Sequence, residues 1–128
     1  MRPILLDTCS LLWLGFNAPE LSPKMREAIE VASVIYVSPI SLLEIALKYK
    51  KGKLKLATPP REWYDIVQRQ YGIMFVPLTP GIAFRAVELS EVHQDPADRF
   101  IIATALENDL PVLTTDGNFA KYGVDVIC

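Results

Sequence analysis

Short apolar runs alternate with polar, helix-forming stretches along the whole chain. Ile4 to Leu6 is apolar and too short for a helix, and Val34 to Val37 is β-branched and aromatic, so both predict strands. Ile73 to Val76, ended by Pro77, predicts a third, and Val112 to Thr114 and Val124 to Ile127 predict two more. Between them lie helical patterns. Ser10 to Phe16 reads as a short apolar helix, and Ser22-Pro23 as an N-cap with proline at the first helical position. Ser41 reads as the cap of a helix running to about Lys50 and stopped by Gly52. Pro59-Pro60 breaks the chain before a helix over Arg61 to Tyr71, which carries Trp63, Ile66 and Val67. Gly81 to Glu91 and Pro96 to Asn108 predict two further helices, the second with a broad apolar stripe of Phe100, Ile101, Ala105 and Leu106. This β-α-β rhythm predicts an α/β three-layer domain: a mostly parallel sheet of four to five strands flanked by helices. No internal repeat or linker-like stretch interrupts it, so one domain over residues 1–128 is expected.

Composition agrees with a globular chain large enough to bury a core: 128 residues, 51% apolar and 22% charged. No apolar stretch approaches the roughly 18 residues of a membrane span. Ile4 to Leu6 before Asp7 offers no signal-peptide core, so no membrane association and a cytoplasmic location are expected. Cys9 and Cys128 lie far apart and make no metal-ligand spacing; burial as small apolar groups is the expectation for both.

Four acids change the picture from fold to chemistry. Asp7 closes the first strand, Glu44 lies just beyond the second, Asp98 sits in Asp95-Pro96-Ala97-Asp98 at a helix start, and Asp116 follows Val112-Leu113-Thr114-Thr115. In an open α/β sheet, ligands bind outside the carboxyl ends of the strands, so parallel strands would turn all four towards one crevice. Each acid also has a structural reading. Asp7 can cap the first helix, and Ser41 and Glu44 have capping-box spacing. Asp95 fits an N-cap with Asp98 near the helix dipole, and Asp116-Gly117 fits a turn. Capping does not, however, require an acid beyond every strand with no basic partner. Such a set would repel itself, and a cation is its natural completion. Carboxylate oxygens suit Mg²⁺ or Mn²⁺, whereas zinc would call for His or Cys. The single histidine, His93, lacks a catalytic partner in the pattern and is expected in a loop. A divalent ion among carboxylates recruits phosphate and acidifies water, so phosphodiester hydrolysis fits best. Thr8, Thr115 and Asn118 are auxiliary candidates that could orient that water or an acidic ligand, each with a turn-residue alternative.

A net charge of −2 looks unpromising for a nucleic-acid binder, but without the four acids the remainder stands at +2. Lys48, Lys50, Lys51, Lys53 and Lys55 form the densest basic run, readable as an edge that tracks RNA phosphates or as solvated lysines at a helix C-terminus. Arg99 is expected in a structural ion pair with Asp95 or a site acid. Trp13, Trp63 and Tyr64 could stack bases, although core or dimer packing fits them better. No Gly-rich phosphate loop and no Gly-x-Ser-x-Gly elbow is present.

With these residues in place the sequence resembles the PIN-domain ribonucleases, and among them the VapC-type toxins. The resemblance runs through Leu6-Asp7-Thr8, the stretch from Ser38 to Ala46, Gly52-Lys53-Leu54, His93 to Arg99 with Ile101 to Ala105, and Leu113-Thr114-Thr115-Asp116. The fragment from Asp95 to Ala105 is the most specific. The resemblance implies that Asp7, Glu44, Asp98 and Asp116 hold Mg²⁺ or Mn²⁺, with Asp7, Asp98 and Asp116 as the principal ligands and Glu44 positioning or deprotonating the attacking water or binding a second ion. It implies endoribonuclease activity leaving a 5′-phosphate and a 3′-hydroxyl, a homodimer, and a small antitoxin that occludes the site. Cys9 stands where many relatives have Asn or Ser, and Asn118 where an acid is frequent, which limits the expectation to one metal. The rival expectations are a PIN-fold binding module without catalysis, and a DNA or flap nuclease of the same fold.

Overall fold

A three-residue apolar run satisfies its backbone only by pairing with neighbours, and the first strand does so on both sides. The computed structural model describes residues 2–91 and 95–128, so His93 lies outside the described residues. Strand β1 (Ile4–Leu6) pairs in parallel with β2 (Ile35–Val37) and with β4 (Val112–Leu113). Strand β3 (Met74–Phe75) extends the sheet beyond β2, and β5 (Val126–Ile127) extends it beyond β4. The order is β3-β2-β1-β4-β5, and every pairing is parallel. The chain thus winds outward one way from β1 to β3 and then crosses back to β4. The reversal falls between β1 and β4, where an α/β sheet opens a crevice at its carboxyl edge.

Period-two alternation sorts the strand side chains into two cores. Ile4, Leu6, Ile35, Val37, Leu113 and Ile127 face a layer built from α1 (Thr8–Phe16), α2 (Pro23–Val31), α3 (Pro39–Lys50) and α4 (Pro60–Tyr71). Leu5, Tyr36, Val112 and Val126 face the other way, against Ile101, Ile102 and Ala105 of α6 (Pro96–Asn108) and the buried Phe119. Helix α5 (Pro80–Glu88) packs on α6 through Ile82, Ala86 and Ala103. The three-layer α/β expectation therefore holds, with five strands. Trp63 is buried in the first core, and Phe16 stacks at a tilt against it with ring centroids 6.0 Å apart. Gly15 permits this approach, because a Cβ there would run into the Trp63 ring.

Two expectations fail locally. Helix α3 begins at Pro39 rather than Ser41, since the buried Ser38 hydroxyl accepts from Ile40 N–H and proline occupies the first turn. The Ser41–Glu44 capping box does not form. Neither cysteine is buried: Cys9 lies on the outward side of the first turn of α1 and Cys128 follows β5, and both thiols are free and exposed.

Candidate functional site

The crevice between β1 and β4 is built from backbone geometry first. Extending the register of Leu5 with Val112 and Leu6 with Leu113 by one step sets Asp7 beside Thr114. Asp7 N–H donates to Leu113 O at 3.2 Å, and Ser10 Oγ donates to the same carbonyl at 2.8 Å. Asp7 caps α1 as expected: its Oδ1 accepts from Ser10 N–H at 2.8 Å. Its side chain is buried, and the Thr114 hydroxyl also donates to it. Thr114 Oγ1 in turn accepts from Asp116 N–H at 3.0 Å. Asp116 then closes an Asx turn, accepting from Asn118 N–H at 2.9 Å. Thr114 thus bridges the two acids that end β1 and β4.

Asp7 lies in an unfavourable place for a negative charge. Burial pushes its carboxyl above the usual carboxylate range, and the neighbouring charge of Asp116 adds to the rise. Hydrogen bonds from Thr114 and Ser10 oppose that shift without overcoming it. Among the described residues no lysine or arginine pairs with Asp7.

The other two acids come from helices. Asp98 stands in the first turn of α6, whose N-cap Asp95 accepts from Ala97 N–H at 2.9 Å as expected. Glu44 projects from the second turn of α3. Asp7, Asp98 and Glu44 all act on Cys9, whose thiol is pushed up by partial burial first and then by Asp7, with Asp98 and Glu44 adding to the rise and Lys48 opposing it. Asp7, Glu44 and Asp98 thereby share one neighbourhood, and Asp116 joins it through Asp7.

The acids share that space loosely. Among the described residues, no three Asp, Glu, His or Cys side chains converge closely enough to hold an ion unaided. The donor set nevertheless suits a hard divalent ion, which keeps several waters and completes its shell with substrate phosphate. A buried carboxylate facing a second carboxylate is stabilised in its ionised form by such a charge.

The auxiliary expectations are redistributed. Thr8 is buried, but its hydroxyl donates to Ser41 Oγ at 3.0 Å and so ties α1 to α3. Thr115 is exposed, and the threonine hydroxyl beside Asp7 is that of the buried Thr114. Asn118 contributes its backbone N–H to the turn. Glu44, expected without a basic partner, pairs with Lys48 at 3.8 Å. Arg99 fastens α6 to the end of α5, donating to the carbonyls of Ala86, Val87, Leu89 and Ser90 at 3.0, 3.3, 2.7 and 2.8 Å. Its structural role is met by main-chain carbonyls. Of the aromatic candidates, Trp63 is core, Trp13 and Tyr64 pack against that core, and burial raises the Tyr64 hydroxyl above its ordinary range.

A family model described as the PIN domain matches residues 4–125. The chain belongs to the PIN-domain family. It is 35% identical over 123 residues to Ribonuclease VapC22 of Mycobacterium tuberculosis, covering 95% of this chain and 93% of that protein. Solved structures with the same fold include VapBC2 from Rickettsia felis, bound to a DNA fragment from its promoter. That match has a TM-score of 0.71 at 16% identity and covers 98% of this chain and 97% of the other. FitAcB from Neisseria gonorrhoeae gives a TM-score of 0.68 at 20% identity, covering 100% and 97%. VapC20 of Mycobacterium tuberculosis, a toxin cleaving the sarcin-ricin loop, gives 0.64 at 16%, covering 94% and 95%. The VapC-type PIN resemblance of the motifs is borne out along the whole matched length. Among the described residues, no helix of this PIN domain is long and apolar enough to cross a membrane.

Proposed function

We propose that this PIN-domain protein is a divalent-metal-dependent endoribonuclease, the toxin of a toxin–antitoxin pair acting in the cytoplasm. The observation that carries the reading is Asp7 and Asp116 meeting where the sheet order reverses, with Asp98 and Glu44 acting on the same Cys9. The 35% identity to a ribonuclease favours RNA over DNA as substrate and a catalytic over a binding-only role.

Asp7, Asp98 and Asp116 would hold Mg²⁺ or Mn²⁺, directly or through water. The chemistry a bound ion supplies is polarisation of a phosphoryl oxygen and acidification of a neighbouring water. Asp7, fixed by Ser10 and Thr114, keeps one oxygen turned to its cap, while Asp116 is held by its own turn. Glu44, one helix turn before Lys48, orients the attacking water and takes its proton on a carboxylate oxygen.

Partners are supported by apolar surface without a covering element. A groove of about 890 Å³ between α3, α4 and β3 is lined by Leu42, Leu43, Trp63, Met74 and Phe75. Helix α5 separately exposes Phe84 and Val87. Two such faces suit a chain that meets both an antitoxin and a second copy of itself.

The test is cleavage of a single-stranded RNA oligonucleotide beside its DNA counterpart. We expect Mg²⁺-dependent RNA cleavage, stopped by EDTA and by Asp98→Asn. Full activity in excess EDTA, or equal cleavage by Asp98→Asn, would sink the assignment. Preferential cutting of DNA would redirect it.

A further inference from the structure

We propose that Lys48 is the residue of this site that grips an RNA phosphate, resting on Glu44 until substrate arrives; the inference rests on the nuclease reading above. Three residues of α3 form a line. Ser41, Glu44 and Lys48 are spaced by three and four, so they share one helical face. Ser41 is buried at the foot of that line and accepts from Thr8, the residue after Asp7. Lys48 is at the outer end, its Nζ 3.8 Å from Glu44 Oε2, with 46% of its side chain exposed against 20% for Glu44.

Nothing comparable places the other lysines of the basic run. Lys50 points about 200° away from Lys48 around the helix axis. Lys51 is the C-cap, and Lys53 and Lys55 follow the helix; all are exposed. Arg99, adjacent to Asp98 in sequence, is directed at the carbonyls that end α5. A polyanion entering a crevice of carboxylates meets repulsion, and a cation poised at the rim lowers that barrier.

The resting pair is well suited to exchange. A partly exposed Glu–Lys pair at this helical spacing contributes little to stability and is readily broken. A phosphate oxygen offers the ammonium a charge-assisted bond of greater strength. The flexible lysine stem can swing from one to the other without moving α3.

The experiment compares wild type, Lys48→Gln, Lys48→Arg and, as a control on the exposed face of α2, Lys24→Gln. Two readouts are needed: kcat and KM on a single-stranded RNA oligonucleotide in Mg²⁺, and Mn²⁺ binding to the metal-free protein without RNA. Loss of the phosphate contact in Lys48→Gln should lower kcat/KM by about 30- to 100-fold. Lys48→Arg, which keeps the charge, should stay within about fivefold of wild type. Lys24→Gln should be indistinguishable from wild type. Mn²⁺ should bind Lys48→Gln about two- to fivefold more tightly, because Glu44 loses a competing positive neighbour. Weakened Mn²⁺ binding would mean that Lys48 merely holds Glu44 in place, and would overturn the proposal. So would Lys48→Gln cutting as well as wild type, or Lys48→Arg failing as badly as Lys48→Gln. A wild type that leaves the oligonucleotide intact would overturn the nuclease reading itself.

Discussion

Asp7 and Asp116 belong to the sheet, whereas Glu44 and Asp98 belong to helices laid against it, and the two pairs are held by different means. The sheet pair is fixed at the level of the backbone. Asp7 N–H bonds to Leu113 O, and one threonine hydroxyl connects both carboxylate segments. The helix pair depends on how α3 and α6 dock. Asp98 follows a cap and the Arg99 clasp onto α5, and Glu44 leans on a partly exposed lysine. The sheet pair thus defines a backbone-fixed half of the crevice, in which Asp7 is desolvated. The helix pair defines a half set by helix docking, in which Glu44 is paired with the partly exposed Lys48.

The largest effect should come from the backbone-fixed half. Asp7→Asn should reduce RNA cleavage by roughly 10³-fold or more while leaving the metal-free protein at least as stable at pH 7, because a carboxyl whose ionised form burial disfavours gives way to a neutral amide. Initial rates and thermal melts on the same preparation check this, and an unfolded variant would break the comparison. Glu44→Gln should lower cleavage by about 10²-fold, the scale of a lost general base, with a smaller loss of Mn²⁺ affinity than Asp7→Asn. Equal losses of Mn²⁺ affinity would erase the distinction between the halves. Thr114→Val should cost about tenfold in activity, whereas Thr115→Val should fall within about twofold of wild type, since only Thr114 is buried against Asp7. Reversed magnitudes would move the bridge to the wrong residue.

The smallest expected effect is a slope in stability with pH. Asp7 has a folded-state pKa above its unfolded value of 3.8, so the folded chain holds this proton more tightly. Its contribution is fully present below that value and is lost as pH rises through the folded pKa. Metal-free protein should therefore lose some stability on going from about pH 4 towards neutrality, by calorimetry. Asp7→Asn, or saturating Mn²⁺ with wild type, should flatten that segment. A steeper slope in either would contradict the assignment.

Most of the architecture was legible because its signals are local. Apolar run length separates strand from helix, and Ser22-Pro23 and Asp95-Pro96 mark helix starts through cap chemistry confined to a few residues. The misreadings share a different cause. Ser41 has the spacing of a capping box, but its hydroxyl is taken by Thr8, which lies 33 residues earlier. Two adjacent threonines precede Asp116, and the choice between them depends on the parallel register of β1 with β4, which no local pattern encodes. Cys9 reads as a small apolar group, but in the first turn of α1 it stands exposed between the buried Thr8 and Ser10. The four acids were legible as a set because each stands next to a strand end or helix start. Their loose spacing was not, because it is fixed by how helices dock.

The crossing from β3 back to β4 has a consequence in time. Ser10 finds its carbonyl partner at Leu113, 103 residues further along the chain. At translation rates of about 5–20 residues per second, roughly 5–20 s separate the synthesis of the two halves of the crevice. Until β4 is made and has slotted beside β1, Asp7 has neither Thr114 nor Asp116 as a neighbour. A nascent chain therefore carries no assembled crevice for most of its synthesis, and the order of the strands acts as a delay line on the site.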